Sequence, residues 1–150
     1  MQDLPHTYVA TASAEGAANV ALSSDGLPDL ETAGPPQFGG PGDVWSPETL
    51  LVGAVADCFI LSFRAIARKA RLDWTTLTCE ATGELDKIEK LTQFVGFTVT
   101  ARLTIPNEKD RKKAGVILEK AEKYCLVTNS MKADSHLDAS VEVEPAADIA

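Results

Sequence analysis

SPETLLVGAVADCFILSFRAIARKA, residues 46–70, decides how the rest of the chain is read. Ser46 is a preferred helix N-cap, Pro47 suits the first helical position, and Glu48 complements the positive end of a helix dipole. Leu50, Leu51, Ala54, Val55, Cys58, Leu61, Ser62, Ala65 and Ile66 then recur at the three- and four-residue spacing of one helical face. Val52, Phe59, Ile60 and Phe63 put further apolar side chains around the barrel until Arg64 appears. A helix that is apolar nearly all round is buried on most sides. The pattern predicts one long helix ending near Lys69 to Arg71.

Within it sits Cys58. A free cysteine packs as readily as any small apolar residue, so periodicity alone leaves open whether Cys58 fills space or is held for its chemistry. Cys79 falls on the apolar side of a strand pattern and reads as structural. Cys125 falls at the inner edge of a second helix. Two thiols on the inner faces of two packed helices could come within disulfide reach. Glu48 and Cys58 are ten residues apart, roughly 15 Å along a straight helix. If both serve one site, either Glu48 comes from a second subunit or the helix breaks at Gly53. A helix this apolar also needs more cover than 150 residues readily supply. Both points predict a homodimer.

Outward from the helix, the pattern is α+β with mostly antiparallel pairing. Thr7 to Thr11 and Ala17 to Ser23 read as short strands separated by turn chemistry, and GPPQFGGPGDVW as an ordered loop. After the helix, Leu77, Cys79, Ala81 and Leu85 alternate with polar residues in one strand. Val95, Phe97, Val99, Ala101, Leu103 and Ile105 alternate in the next, with KIEKLTQ as the hairpin connection. Asn107 is positioned to cap a second helix with Ala114, Ile117, Leu118, Ala121 and Cys125 on its face. Leu137, Ala139, Val141 and Val143 mark a last strand. The expected organisation is one domain over 1–150: strands and a Gly/Pro loop over 1–45, the central helix over 46–71, and strands, second helix and final strand over 72–150.

Composition narrows the function. Residues 1–63 hold eight acidic residues and no Lys or Arg, so the whole formal charge of −8 resides there. That surface repels phosphate backbones and argues against nucleic acid as a partner. The first residues lack the basic and apolar regions of a secretory signal. The longest apolar run, Leu50 to Phe63, contains Asp57 and is shorter than the 18 or so residues that span a bilayer. The expected setting is therefore cytoplasmic and not membrane-bound. Three widely spaced cysteines argue for reduced or redox-active thiols rather than a disulfide framework, and no metal-ligand spacing is present.

SPETLLVGAVADCF resembles the N-P-E-x-L-x-x-A-x-x-A-C-F segment of the OsmC/Ohr superfamily, the osmotically inducible protein C and organic hydroperoxide resistance proteins. AEKYCLVTNSMKADSHLDASVEV resembles the closing stretch of that family, a helix ending in C-P-V-S before a final strand. The likeness covers nearly the whole chain. It implies an intertwined homodimer with long central helices flanked by sheets, and thiol-dependent reduction of organic hydroperoxides without metal or flavin. By position, Cys58 resembles the peroxidatic thiol, Cys125 the resolving thiol, and Glu48 the glutamate that orients a catalytic arginine at the dimer interface. A dithiol reductant, lipoyl-type in some relatives, would restore the pair.

The chain departs from that pattern twice. The family's arginine would come from the N-terminal strands or loop, where this sequence offers Gln37 or Phe38, and Leu126 stands where proline often follows the second cysteine. Arg64, Arg68 and Lys132 are the candidate replacement cations, although Arg64 and Arg68 lie well around the helix from Cys58. The alternative expectation is a dimer of the same fold without efficient peroxidase activity, binding a small apolar or thiol-reactive ligand in that pocket.

Overall fold

The computed structural model describes residues 2–145. The chain divides into two compact units, Met1–Leu51 and Val52–Ala150.

The N-terminal unit is a three-stranded antiparallel meander, β1 (Thr11–Ser13), β2 (Val20–Ser23) and β3 (Leu30–Thr32). The first strand therefore lies further along the chain than Thr7 to Thr11, and β3 is the third of the two or three short strands expected here, at a position that periodicity did not mark. Three residues are too short for a pattern of period two to stand out. Gly16 and Gly26 take positive φ in the two connecting turns, as the turn residues predict. The Gly/Pro segment is ordered around a short 3-10 turn, Pro36–Phe38. There Gly40 presses on the carbonyl of Gly34 so closely that a Cβ has no room.

The helix α1 (Pro47–Ala70) begins as predicted. The Thr49 N–H donates to Ser46 Oγ at 3.2 Å, and the Ser46 N–H donates to Thr49 Oγ1 at 2.9 Å. This reciprocal cap satisfies two groups at the start of the helix. It ends with Arg71 in the left-handed region (φ 50°) and the Leu72 N–H donating to the Ala67 carbonyl at 3.0 Å. Helix α1 is continuous through Gly53.

In the second unit, β4 (Thr76–Ile88), β5 (Leu91–Ile105) and β6 (Asp134–Val143) form a sheet in that order. The hairpin is tighter than KIEKLTQ suggested. Residues 87–93 mostly extend the two strands, and only Glu89 and Lys90 turn, with Glu89 at φ 58°. A glutamate there gives no glycine or asparagine signal, so the turn was not legible. The register shift at Glu84/Leu85 leaves Val95 of β5 unpaired, and Leu85, expected to face in, is exposed. β6 pairs parallel to β5, returning through α2 (Arg111–Lys123), so this sheet is mixed. Ala139, expected inside, is exposed.

Asn107 precedes a 3-10 turn (Glu108–Asp110) and makes no side-chain cap, so α2 starts three residues later than the Asn107 cap predicts. Arg111 pairs with Glu108 at 2.6 Å and also donates to the Val141 carbonyl, fixing the helix start to β6. Cys125 lies just past α2, before a single helical turn, α3 (Leu126–Asn129).

One cluster holds the core of this unit. Val55, Phe59, Phe63 and Ala67 of α1 join the inward residues of β5 and Ala114, Ile117, Leu118 and Ala121 of α2. Gly83 of β4 lies so close to α1 that a Cβ there would stand 2.8 Å from Val52 Cγ2 and 2.8 Å from the Phe94 ring. Gly83→Ala is therefore expected to destabilise the unit by about 1–3 kcal/mol through overpacking against a stiff β-branched neighbour. A urea melt with an unchanged midpoint would contradict that contact.

The rest of α1 is less covered than the sequence predicts. Its 24 residues are long and apolar enough by length and composition to cross a bilayer, and only 28% of that stretch is buried within the chain. The buried share is the face carrying Phe59 and Phe63. Leu61, on the opposite side, is 51% exposed.

Candidate active site

Cys58 is half-buried on α1, and Cys125 is 1% exposed at the α2–α3 junction. The two thiols lie near enough to act on each other electrostatically, and neither is in a disulfide. Sequence reasoning expected this meeting from the helical faces. The structure achieves it through a bend rather than a helix. Tyr124 ends α2, Cys125 turns to extended backbone (φ −66°, ψ 106°), and α3 begins beyond it. An extended Cys125 turns the chain so that the start of α3 also meets Cys58.

Two further groups act on Cys58: the Val127 N–H, at the start of α3, and the Ser62 side chain, one helical turn along α1, both of which favour its thiolate. Ser62 was visible in the sequence as the i+4 neighbour on the same face. Val127 acts through its backbone, which leaves no residue-type signal. Leu126 occupies the first position of α3, where an N–H has no helical partner, so its difference from proline removes no helical hydrogen bond.

Burial dominates the electrostatics. It pushes the Cys58 thiol above its ordinary range, with the neighbouring Cys125 adding to the rise, while the Val127 N–H and Ser62 pull the other way. Arg64, Arg68 and Lys132 are exposed, and none of them is among the groups acting on Cys58. Cys79, on the inward side of β4, is pushed up to about 11 by burial and then by Cys125. A thiol held that high is protonated at neutral pH and inert as a nucleophile, which supports its structural reading.

A pH profile follows from these directions. The reactive form is the thiolate, so alkylation of Cys58 by iodoacetamide is expected to accelerate about tenfold per unit between pH 7 and pH 9. A rate already level by pH 7.5 would show that a cation lowers this thiol.

Glu48 is not one of the groups around Cys58. It lines a cavity of about 440 Å³ in the N-terminal unit, among Ala12, Val20, Leu22, Pro35 and Phe38. Its Oε2 is buried and has no hydrogen-bond partner among the described residues. Gln37 and Phe38 fall in the short 3-10 turn, and Phe38 contributes to the cavity wall. Among the described residues, no group of three or more His, Cys, Asp and Glu side chains is arranged to hold a metal ion.

Comparison with known proteins places this arrangement. Residues 40–140 match the family model for OsmC-like proteins. The organic hydroperoxide resistance protein of Xanthomonas axonopodis pv. citri is 28% identical over 132 residues, covering 83% of this chain and 87% of that protein. Among solved structures, an OsmC-like protein of Vibrio cholerae superposes with a TM-score of 0.84 at 16% identity, covering 91% of this chain and 100% of the other. An organic hydroperoxide resistance protein from Legionella pneumophila superposes with a TM-score of 0.74 at 26% identity, covering 94% of this chain and 100% of the other. With the family model spanning the central helix and the approach to the second thiol, and the same fold recurring in these structures, the chain belongs to the family of OsmC-like proteins.

Proposed function

We propose that this protein reduces organic hydroperoxides by thiol chemistry, in defence against oxidative stress, with Cys58 and Cys125 as the redox pair. The observation that carries the reading is the approach of the Cys58 sulfur to Cys125. In the proposed cycle the Cys58 thiolate attacks the distal peroxide oxygen. The O–O bond breaks, an alcohol leaves, and Cys58 becomes a sulfenic acid. Cys125 then attacks that sulfur, water leaves, and a Cys58–Cys125 disulfide forms. A dithiol reductant, such as a lipoyl dithiol, returns both thiols, a chemistry suited to a reducing compartment such as the cytoplasm. Organic rather than water-like peroxides fit the apolar surroundings of α1.

The working unit in this proposal is a homodimer. The uncovered side of α1, with Leu61 half-exposed, supports it, because a stripe of apolar side chains facing water favours association. Glu48 is proposed to serve the site across that interface. Sedimentation tests the assembly. The native chain should run as a dimer and Leu61→Lys should shift it toward monomer, whereas a monomeric native chain would remove this part of the proposal.

A second reading keeps the fold and drops the catalysis: the protein binds a small ligand. The raised Cys58 thiol and the apolar cavity beside Glu48 favour it. One assay separates the two. Reduced protein is mixed with excess cumene hydroperoxide, and the free thiols are counted. Rapid loss of two of the three thiols, with a Cys58–Cys125 link found by mass spectrometry, supports the peroxidase. Loss no faster than that of a free thiol in buffer supports the binding protein.

A further inference from the structure

The outer side of α2 carries charge that the fold leaves unused. Ala114, Ile117, Leu118 and Ala121 are buried, which turns Lys112, Lys120 and Lys123 to solvent. None of these lysines is in an ion pair among the described residues. Glu119 shares this side of the helix, so the face is basic by excess rather than throughout. Large apolar side chains are exposed along it, Val116 at 42%, Tyr124 at 60% and Leu126 at 70%. The Lys123 ammonium stands 5.9 Å from the centre of the Tyr124 ring, which joins the charged and apolar parts of the surface. Cys125 lies between Tyr124 and Leu126. Its extended backbone sends its side chain inward while theirs face solvent. That thiol is therefore one residue beneath an exposed apolar pair edged by lysines. The formal charge of −8 resides in residues 1–63, so an acidic macromolecule is repelled by the chain at large and received best where lysines gather.

We propose that this face docks the reductant, an acidic carrier protein that bears a dithiol on a flexible arm. The inference rests on Cys58 and Cys125 being the redox pair. Lys120 and Lys123 hold the carrier's carboxylates, and Tyr124 and Leu126 pack against its apolar surface. An arm is needed because Cys125 is 1% exposed, so the body of a protein does not reach it. A thiolate of the carrier attacks one sulfur of the Cys58–Cys125 disulfide, and the other cysteine leaves as a thiolate. The carrier's second thiol then attacks the mixed disulfide. Two electrons pass to the protein, the carrier closes its own disulfide, and the two protons lost by its thiols return to Cys58 and Cys125.

The disulfide is formed in the full-length protein with diamide, without peroxide, and its reduction is followed by release of free thiols. An acidic dihydrolipoyl carrier domain is expected to reduce it about tenfold faster at low salt than free dihydrolipoamide at the same dithiol concentration. That advantage should shrink as salt screens the lysines. Lys120→Glu with Lys123→Glu should abolish it and leave the rate with free dihydrolipoamide unchanged. Lys87→Glu with Lys90→Glu, on the β4–β5 hairpin, makes the same change in net charge and should retain it. Equal rates for carrier and free dithiol, or a carrier rate untouched by the Lys120 and Lys123 substitutions, would overturn the proposal. So would a changed sedimentation of that variant, because the face would then join copies of this chain. If diamide forms no Cys58–Cys125 disulfide, the redox pair fails and the docking face falls with it. If the disulfide forms and the carrier has no advantage, the docking face alone falls.

Discussion

Cys58→Ser is expected to bring cumene hydroperoxide consumption down to the uncatalysed rate, a loss on the order of 10³-fold or more, as for removal of an attacking nucleophile. The variant retains the size and helical position of the residue, so its folding should survive. Cys125→Ser should behave differently. The first step needs only Cys58, so one equivalent of peroxide is still consumed. The sulfenic acid then has no thiol beside it and accumulates, to be trapped by dimedone as one adduct per chain. Cys79→Ala should alter neither step, since that thiol is protonated at neutral pH. Stopped-flow peroxide assays and intact mass spectrometry read all three variants. Consumption by Cys58→Ser at the native rate would remove this cysteine from the chemistry altogether.

Phe63→Ala carries the largest expected effect on stability. Phe63 is fully buried on α1, and its ring meets Trp74 edge-on at 5.4 Å with an interplanar angle of 83°. Deleting a buried aromatic ring costs about 3–5 kcal/mol through lost transfer free energy and the cavity left behind. The edge-to-face pair with Trp74 belongs to that loss. Domains of this size are stable by only about 5–15 kcal/mol, so the urea midpoint should fall by about a fifth or more. A shift below about 1 kcal/mol would mean that α1 is not packed on the sheet as described.

The long periodic segments were legible before any coordinates. Twenty-four residues of α1 repeat an apolar face often enough to overwhelm local ambiguity, and Ser46, Pro47 and Glu48 mark its start unambiguously. The inward run from Phe97 to Ile105 was legible for the same reason, whereas Val95, expected inside, is the bulge residue of β5 and Phe94 packs on the core instead. Cys58 stood out because it lies on α1, ten residues after the Pro-Glu start. Glu48 was legible as a helix-start acid, but its burial was not, because nothing local says that Ala12, Leu22 and Phe38 will close over it.

What the sequence determined by itself was the order of the elements, the strongly periodic core faces of β5 and α2, and the inward placement of Cys125, because periodicity is set by backbone geometry acting over neighbouring residues. It did not determine which side of α1 is buried, since Leu51, Leu61 and Ala65 of the expected face are exposed while Phe59 and Phe63 face the core. What only the tertiary structure decided was which groups meet. The parallel pairing of β6, the turn at Glu89, the exposure of Ala139 and the Val127 N–H at Cys58 all depend on contacts between segments distant in sequence or on backbone atoms common to every residue. Neither leaves a trace in side-chain type, since a hydrogen bond from a peptide group is available at any non-proline position and becomes specific only when the chain folds around it.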